Sequence, residues 1–288
     1  MKLIKKILLQ TIFFILLFSF STFSQRGKDG DLDVSVANTV LNSYTYLTST
    51  SPPGSTTITV ESNLMNGGIF NSNLAAGDLI MILQMQGASV DINNFPVLAG
   101  GIHTAPSANL YDWWLAMEDF GAITNYKSAG YYQTIEVAGV SGSNTIELQC
   151  GLNYIFAHAK NVQVIRIPRL KNLTVSGGYN SIVPSPWDGQ SGGVVALEVD
   201  SVLTINSGSS ISADYAGFRG GELDPSGQSG NPNNPNEIRY LGTPIASEGS
   251  EKGEGIFGYH NEGKAFVVHQ SNIKWWLDFF YKIIFKYK

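Results

Sequence analysis

The stretch from 187 to 221 constrains the fold most, because it alternates short apolar pieces with tight turns rich in glycine, serine and asparagine. The apolar positions are Val194, Val195, Leu197 and Val199, then Leu203 and Ile205, then Ile211 and Ala213. Alternation with period 2 buries one face of each piece. Pieces this short cannot close a core alone and must stack on neighbours, as the coils of a β-solenoid do. We therefore predict a short parallel β-solenoid, similar to a β-helix, over residues 169–222.

The chain before this region has the pattern of an antiparallel β-unit. Residues 57–60 alternate like a strand, and the nearly continuous apolar run 78–86 predicts a buried central strand. Residues 134–137 and 145–148 flank a Gly/Ser/Asn turn and predict a hairpin. The alternating run 161–167 ends at Pro168, which cannot donate to a ladder. The sequence thus predicts an all-β protein in which a sandwich-like or barrel-like unit over 34–168 precedes the solenoid.

Composition narrows the class of protein. Only 14% of the residues are charged, against about 25% in ordinary soluble domains, and Ser, Thr, Asn and Gly take their place. The formal net charge of −5 argues against a nucleic-acid partner, which needs clustered Lys and Arg. The single cysteine, Cys150, excludes an internal disulfide and is interpreted as a small buried residue at a strand end.

Residues 1–24 have the pattern of a secretory signal peptide. Lys2, Lys5 and Lys6 precede an almost wholly apolar run from 7 to 20. Small residues at the end of the segment place the cut between Ser24 and Gln25. The alternative is an uncleaved membrane anchor, because no charge occurs between Lys6 and Arg26. Either interpretation predicts export to the cell surface or the extracellular space.

Residues 25–33 are interpreted as a polar linker. Asp29, Asp31 and Asp33 share the alternating spacing of a calcium loop, so a weak calcium site is the alternative. The loop pattern would next require glycine and glutamate where the chain has Val34 and Val40, which favours the linker.

The chain changes character after the predicted solenoid. Residues 223–272 form a region rich in Gly, Asn and Pro, and residues 273–288 an aromatic and basic tail. The tail is too short to span a bilayer comfortably but could lie at a membrane interface as a helix. A truncation or frameshift would give the same abrupt change, and the sequence leaves both interpretations open.

Four runs of residues resemble a known family. FNSNLAAGDLIMILQMQGA (70–88), VQVIRIPRLKNLTVSG (162–177), PWDGQSGGVVALEV (186–199) and ISADYAGFRGG (211–221) are similar to the N-terminal region of large adhesin-like exported proteins of the Bacteroidota. Such proteins commonly carry a type IX secretion sorting domain or are gliding-motility-associated. The resemblance, which covers about residues 30–265, implies a cell-surface or secreted protein with an adhesive or structural role.

Aromatic residues are the candidates for ligand binding. Residues 99–132 contain Trp113 and Trp114 together with several tyrosines, among them Tyr126, Tyr131 and Tyr132. Their rings could stack on sugars, or could simply pin a long loop to the body. The candidate platforms are Trp113, Trp114, Trp187 and Tyr215, and the expected partners are surface glycans or a host or neighbouring cell surface.

A polysaccharide-degrading enzyme, a lyase or glycosidase on a β-helix scaffold, is the alternative from a different class. Such an enzyme needs two or three carboxylates converging in a groove. The candidates are Asp188, Asp200 and Asp214, although each sits at a strand end or turn, where Asp is favoured for local bonds. The four histidines are scattered without metal-ligand spacing. No catalytic constellation stands out, and the expected function is adhesive or structural, with carbohydrate binding as its near neighbour.

Overall fold

The computed structural model describes residues 25–90, 123–219, 239–241, 249–251 and 255–256. The predicted signal peptide, the tail 273–288, nearly all of the Gly/Asn/Pro-rich region and the two tryptophans Trp113 and Trp114 lie outside these ranges. The described chain is built of strands and one short 3₁₀ turn, His158–Lys160, which confirms the predicted all-β class.

The strands are numbered β1 to β13 in chain order. They are β1 Asp31–Val34, β2 Ser43–Tyr46, β3 Thr57–Thr59, β4 Leu79–Gln84, β5 Ser89–Val90, β6 Ile123–Asn125, β7 Tyr132–Ser141, β8 Thr145–Leu148, β9 Val162–Ile167, β10 Arg169–Val175, β11 Glu198–Ile205, β12 Arg239–Leu241 and β13 Gly249–Glu251. They form a six-stranded sheet, a three-stranded sheet and two two-stranded pairs, β5–β6 and β12–β13.

The six-stranded sheet is antiparallel and curls into a half-barrel, with the order β2-β9-β4-β7-β8-β3. Its central strand β4 is buried on both faces, as its continuous apolar composition predicts. On one face Ile80 and Ile82 pack into a core around Phe156. On the other, Met81 and Leu83 pack beneath the segment 187–196. The predicted hairpin is β7–β8, where Asn63 donates to Thr145 O (3.0 Å).

The three-stranded sheet is parallel and stacks β1, β10 and β11 like the coils of a solenoid. Equivalent residues fall in register, so that Leu32, Leu173 and Leu203 form one ladder. A second parallel ladder follows at Thr39, Ile182 and Ile211. The chain thus makes successive coils, as predicted, but the first coil comes from residues 31–39. The antiparallel unit is inserted between the first coil and the second.

This arrangement corrects the interpretation of residues 25–33 as a linker. Asp31 and Asp33 belong to β1, and Asp29 N donates to Arg169 O (3.0 Å). The segment is polar because β1 turns only alternate residues inward: Val34 is buried, whereas the two aspartates face out. A strand this short and acidic gives almost no signal in the sequence.

The region 194–205 also differs from its prediction. The sequence predicts a break between Val199 and Leu203, but β11 runs without interruption from Glu198 to Ile205. Residues 194–197 instead lie across the antiparallel unit. Asn42 holds them there, because it accepts from Ala196 N (3.0 Å) and donates to Ala196 O, and Tyr44 Oη donates to Val194 O (2.7 Å).

Buried charges join the two sheets at the start of β4. Asp78 is 2% exposed and accepts from Arg166 Nη2 (2.6 Å) and from Lys28 Nζ. Burial lowers the pKa of Arg166, and the negative charge of Asp78 opposes part of that shift. Lys28 belongs to the N-terminal segment, so one carboxylate ties that segment to β4 and β9.

Arg169 makes the second link of the same junction. It donates to Glu136 Oε1 on β7 (2.7 Å) and to Glu198 Oε2 on β11 (2.6 Å). Burial alone would lower the pKa of Arg169, but its bonds to Glu198 and Glu136 outweigh burial and raise that pKa. We call the six residues of these two links the junction network. They are Lys28, Asp78 and Arg166 on the first link and Arg169, Glu136 and Glu198 on the second.

The substitution Asp78→Asn tests how much the junction network contributes to the free energy of unfolding. It leaves Arg166 buried without its carboxylate, and breaking a buried pair in this way costs about 3–5 kcal/mol. Urea unfolding followed by circular dichroism should show a loss of that size. The control Glu147→Gln removes an exposed carboxylate on β8 and should change stability by less than about 0.5 kcal/mol. Equal effects of the two substitutions would contradict the assignment.

A second prediction concerns alkaline pH. Burial raises the pKa of Tyr44 well above its ordinary value, and a hydrogen bond from the Ser185 backbone offsets only part of this rise. As the pH passes about 10, the unfolded chain therefore releases this proton before the folded chain does, and stability is lost. The free energy of unfolding should fall more steeply from pH 8 to 10.5 in the wild type than in Tyr44→Phe. Parallel pH profiles of the two proteins would refute this.

Candidate functional site

Four loop segments meet where β4 ends, and we call this region the sheet end. Gln84 connects them: its carbonyl accepts from Gly130 N (2.8 Å) and its side-chain oxygen from Ala157 N (3.0 Å). Ser51 and Phe156 exchange two backbone hydrogen bonds, each 3.0 Å long. The segments are 48–55, 84–90, 123–133 and 149–161. Backbone hydrogen bonds thus hold the sheet end together as one surface.

Two tyrosines form an exposed ring pair on this surface. The ring centroids of Tyr131 and Tyr154 lie 4.8 Å apart at an interplanar angle of 51°. Each residue is 43% exposed. Tyr154 in turn meets Phe156 edge to face at 6.5 Å, and Phe156 is fully buried in the core. We call Tyr131 and Tyr154 the tyrosine platform, which a core residue anchors from below.

Local sequence explains how each ring is placed. Two consecutive turns precede Tyr131, closed by Ala129 N to Tyr126 O (2.9 Å) and Tyr131 N to Ser128 O (3.0 Å). They need the left-handed backbone seen at Lys127 (φ 48) and Gly130 (φ 82). Asn125 Oδ1 accepts from Lys127 N (2.7 Å) and supports the first turn.

Gln133 fixes the second ring relative to the first. Its buried side chain accepts from Asn153 N (2.8 Å) and donates to Gly151 O (3.3 Å), which holds the loop that carries Tyr154. Further exposed aromatic and apolar surface lies beside the platform in sequence. These residues are Tyr126 (58% exposed), Tyr132 (41%) and Ile155 (46%). The combination of flat rings with exposed polar loops suits a ligand that has both apolar faces and hydroxyl groups.

Sequence reasoning identified part of this site. It singled out Tyr126, Tyr131 and Tyr132 as members of an aromatic cluster, and the platform contains one of them. It missed Tyr154, whose only signal is the alternation of Tyr154 and Phe156 around exposed Ile155. Trp113 and Trp114 lie outside the described residues.

Trp187 requires a correction. It was a candidate sugar platform, but it is only 4% exposed and belongs to the core on the second face of β4. Phe218 meets its ring edge to face, with the centroids 5.5 Å apart. A ring covered in this way has no free face for a ligand. Tyr215, by contrast, is fully exposed in a turn with left-handed backbone (φ 60).

The three candidate carboxylates occupy different settings. Asp188 caps its own turn, with Oδ1 accepting from Gln190 N and Ser191 N at 2.8 Å each. Asp214 lies in a neighbouring turn, because Trp187 N donates to Ala216 O (2.9 Å). Asp200 lies on β11 instead. The structure therefore associates the turns of Asp188 and Asp214 and leaves Asp200 on a separate element.

Two aspartates of the candidate calcium loop accept hydrogen bonds from β10. Asp29 Oδ2 accepts from Arg169 N (2.7 Å) and Asp31 Oδ1 from Asn172 Nδ2 (2.8 Å). Among the described residues, no group of three or more His, Cys, Asp or Glu could hold a metal ion. Cys150, interpreted as buried, is exposed. His158 Nδ1 lies 3.0 Å from Thr50 Oγ1.

A bilayer-spanning helix is not found in the part of the chain that the structure describes.

Two comparisons with known proteins found no match. No protein-family model matches the sequence, and no curated protein matches it.

Solved structures with a similar arrangement include three phage tailspikes. They are gp61 of Pseudomonas phage phi297 (12% identity, TM-score 0.24), Gp54 of Acinetobacter baumannii bacteriophage AP22 in complex with A. baumannii capsular saccharide (14%, 0.23) and gp49 of Pseudomonas phage LKA1 (17%, 0.25). The matches cover 54%, 53% and 61% of this chain but 22%, 21% and 26% of the tailspikes. Similarity this low carries no argument about function.

The substitution Trp187→Ala tests the corrected role of that residue. Removing a buried tryptophan from a packed core costs about 3–5 kcal/mol, so the free energy of unfolding should fall by that amount. Tyr215→Ala, which removes a fully exposed ring, is the control and should cost less than about 0.5 kcal/mol. If Trp187→Ala proved as mild as the control in chemical denaturation, the core assignment would be wrong.

Proposed function

We propose that this chain is an exported, cell-surface or secreted adhesive protein that binds carbohydrate through the tyrosine platform. The observation that carries the proposal is the exposed ring pair of Tyr131 and Tyr154, anchored on buried Phe156. A sugar presents an apolar C–H face that stacks on an aromatic ring, while its hydroxyl groups need polar partners at the rim.

The rigidity of the tyrosine platform is the second observation that supports carbohydrate binding. A platform that moved freely in the unbound protein would have to be ordered when the ligand binds, and that ordering weakens affinity. Here Gln133 holds the two loops together, and Phe156 supports the ring of Tyr154 from the core. The platform is therefore set before the ligand arrives.

Export rests on the sequence. The basic and apolar segment 1–24, the low charge and the resemblance to adhesin-like proteins of the Bacteroidota all support a cell-surface or extracellular location. A glycan of a host or neighbouring cell is the kind of partner available there.

A polysaccharide-degrading enzyme is the second candidate. The adjacency of the turns that carry Asp188 and Asp214 favours it, since glycoside hydrolysis needs a pair of carboxylates. A glycan-binding experiment separates the two functions when the release of reducing sugar ends is measured alongside. Release that disappears in Asp214→Asn would favour the enzyme.

The binding test uses a glycan array with the purified full-length chain. Tyr131→Ala and Tyr154→Ala should each weaken binding about tenfold, which corresponds to about 1.4 kcal/mol of lost stacking. Tyr179→Ala is the matched control, because Tyr179 is an exposed tyrosine (69%) on the coil stack, and it should bind like the wild type. Equal binding by all four proteins, or no binding to any glycan, would reject the platform.

A further inference from the structure

The described loop segments of the sheet end carry basic but no acidic side chains. The described segments 48–55, 84–90, 123–133 and 149–161 contain Lys127, His158 and Lys160 but no Asp or Glu. The whole chain carries a formal net charge of −5. Where basic residues are in local excess on an acidic protein, an anionic ligand is attracted to that surface more than to other surfaces of the molecule.

The acidic groups of the same sheet are gathered at its other end. Asp78 precedes β4 and Glu136 pairs with the first residue of that strand, and both are engaged in the junction network. The six residues of β4 separate that network from the sheet end by roughly 20 Å. This distance exceeds the screening length of about 8 Å at physiological salt, so the carboxylates of the network do not cancel the charge at the platform.

Each lysine lies on the same loop segment as one ring of the tyrosine platform, Lys127 with Tyr131 and Lys160 with Tyr154. Lys127 begins the pair of turns that ends at Tyr131, and it is exposed. Lys160 is exposed on the 3₁₀ turn that follows Tyr154, and its backbone carbonyl accepts from Gln86 N (3.0 Å). Among the ion pairs of the described residues, none uses either lysine. Both ammonium groups are therefore available to a ligand.

We infer that the tyrosine platform takes an acidic polysaccharide built from uronic acids. The inference rests on the proposed function and names its ligand class. A sugar ring stacked on Tyr131 and Tyr154 leaves its substituents at the rim of the platform, where the same loop segments carry the exposed Lys127 and Lys160. A uronic acid carries its carboxylate directly on the ring, so the charge lies at a fixed place on that rim.

The test compares polygalacturonate with its fully methyl-esterified form, which has the same backbone without the charge. The full-length chain should bind the acidic polymer about tenfold more tightly in isothermal titration calorimetry, and the preference should shrink as salt is raised. The double substitution Lys127→Gln/Lys160→Gln should reduce the preference to less than about twofold. It should leave the binding of the ester unchanged. Lys171→Gln, an exposed lysine on β10, is the control and should keep the full preference.

The possible outcomes are distinct. If the wild type binds both polymers equally, or the lysine variant keeps the preference, the inference is overturned while the platform stands. If Tyr131→Ala binds polygalacturonate as the wild type does, binding is unspecific charge attraction and the inference also falls. Absence of binding to both polymers overturns it as well, and the glycan array then decides separately whether the platform binds any sugar.

Discussion

The buried contact of Asp78 with Arg166 is the interaction on which the architecture depends. A charge taken out of water is tolerated only when it is paired and hydrogen-bonded. Arg166 meets this requirement through Asp78 and through the carbonyl oxygens of Met65 (3.0 Å) and Ser72 (2.6 Å), and its guanidinium lies 4.0 Å from the ring centroid of Phe70. Because these partners come from different segments, the pair is complete only when the central strands and the loop 65–72 are assembled.

The same network explains how an inserted sheet and a coil stack form one body. β1 pairs in parallel with β10 although about 140 residues separate them in sequence, and closing a loop of that length costs entropy before any contact is gained. The hairpin β7–β8 needs no such closure. Lys28 and Asp29 give the N-terminal segment specific partners in Asp78 and Arg169, which fix the register of a first coil that is too short to fix it by apolar contacts.

The sequence predicted those strands whose hydrophobic pattern matches the way they are buried in the fold. β4, β9 and the hairpin follow directly from alternation or from a continuous apolar run. Sequence analysis missed β1 because two of its four residues are aspartates. Its alternation therefore amounts to only two apolar residues, Leu32 and Val34, on the inner face. Trp187 was misjudged for a different reason: its neighbours Met81 and Ile165 lie on strands distant in sequence. Alternation within a Gly-rich segment cannot reveal such partners. Tyr154 was missed for the same reason, since it forms a binding surface only together with Tyr131, which lies on another loop segment.

The two ends of β4 show how one sheet can carry stability and recognition without conflict. At its start, acidic and basic groups are paired around the buried Asp78, Arg166 and Arg169, so their charge is used internally. At its end, Phe156 supports the Tyr154 ring of the tyrosine platform, while Lys127 and Lys160 on the same loop segments stay exposed. The described loop segments of the sheet end contain no carboxylate with which a buried lysine could pair, so burying one would add a desolvation cost and gain little. Among the described residues, this end of the sheet therefore presents positive charge and exposed rings to the solvent, where an anionic sugar can reach both. That is why we place recognition at this end rather than on the coils.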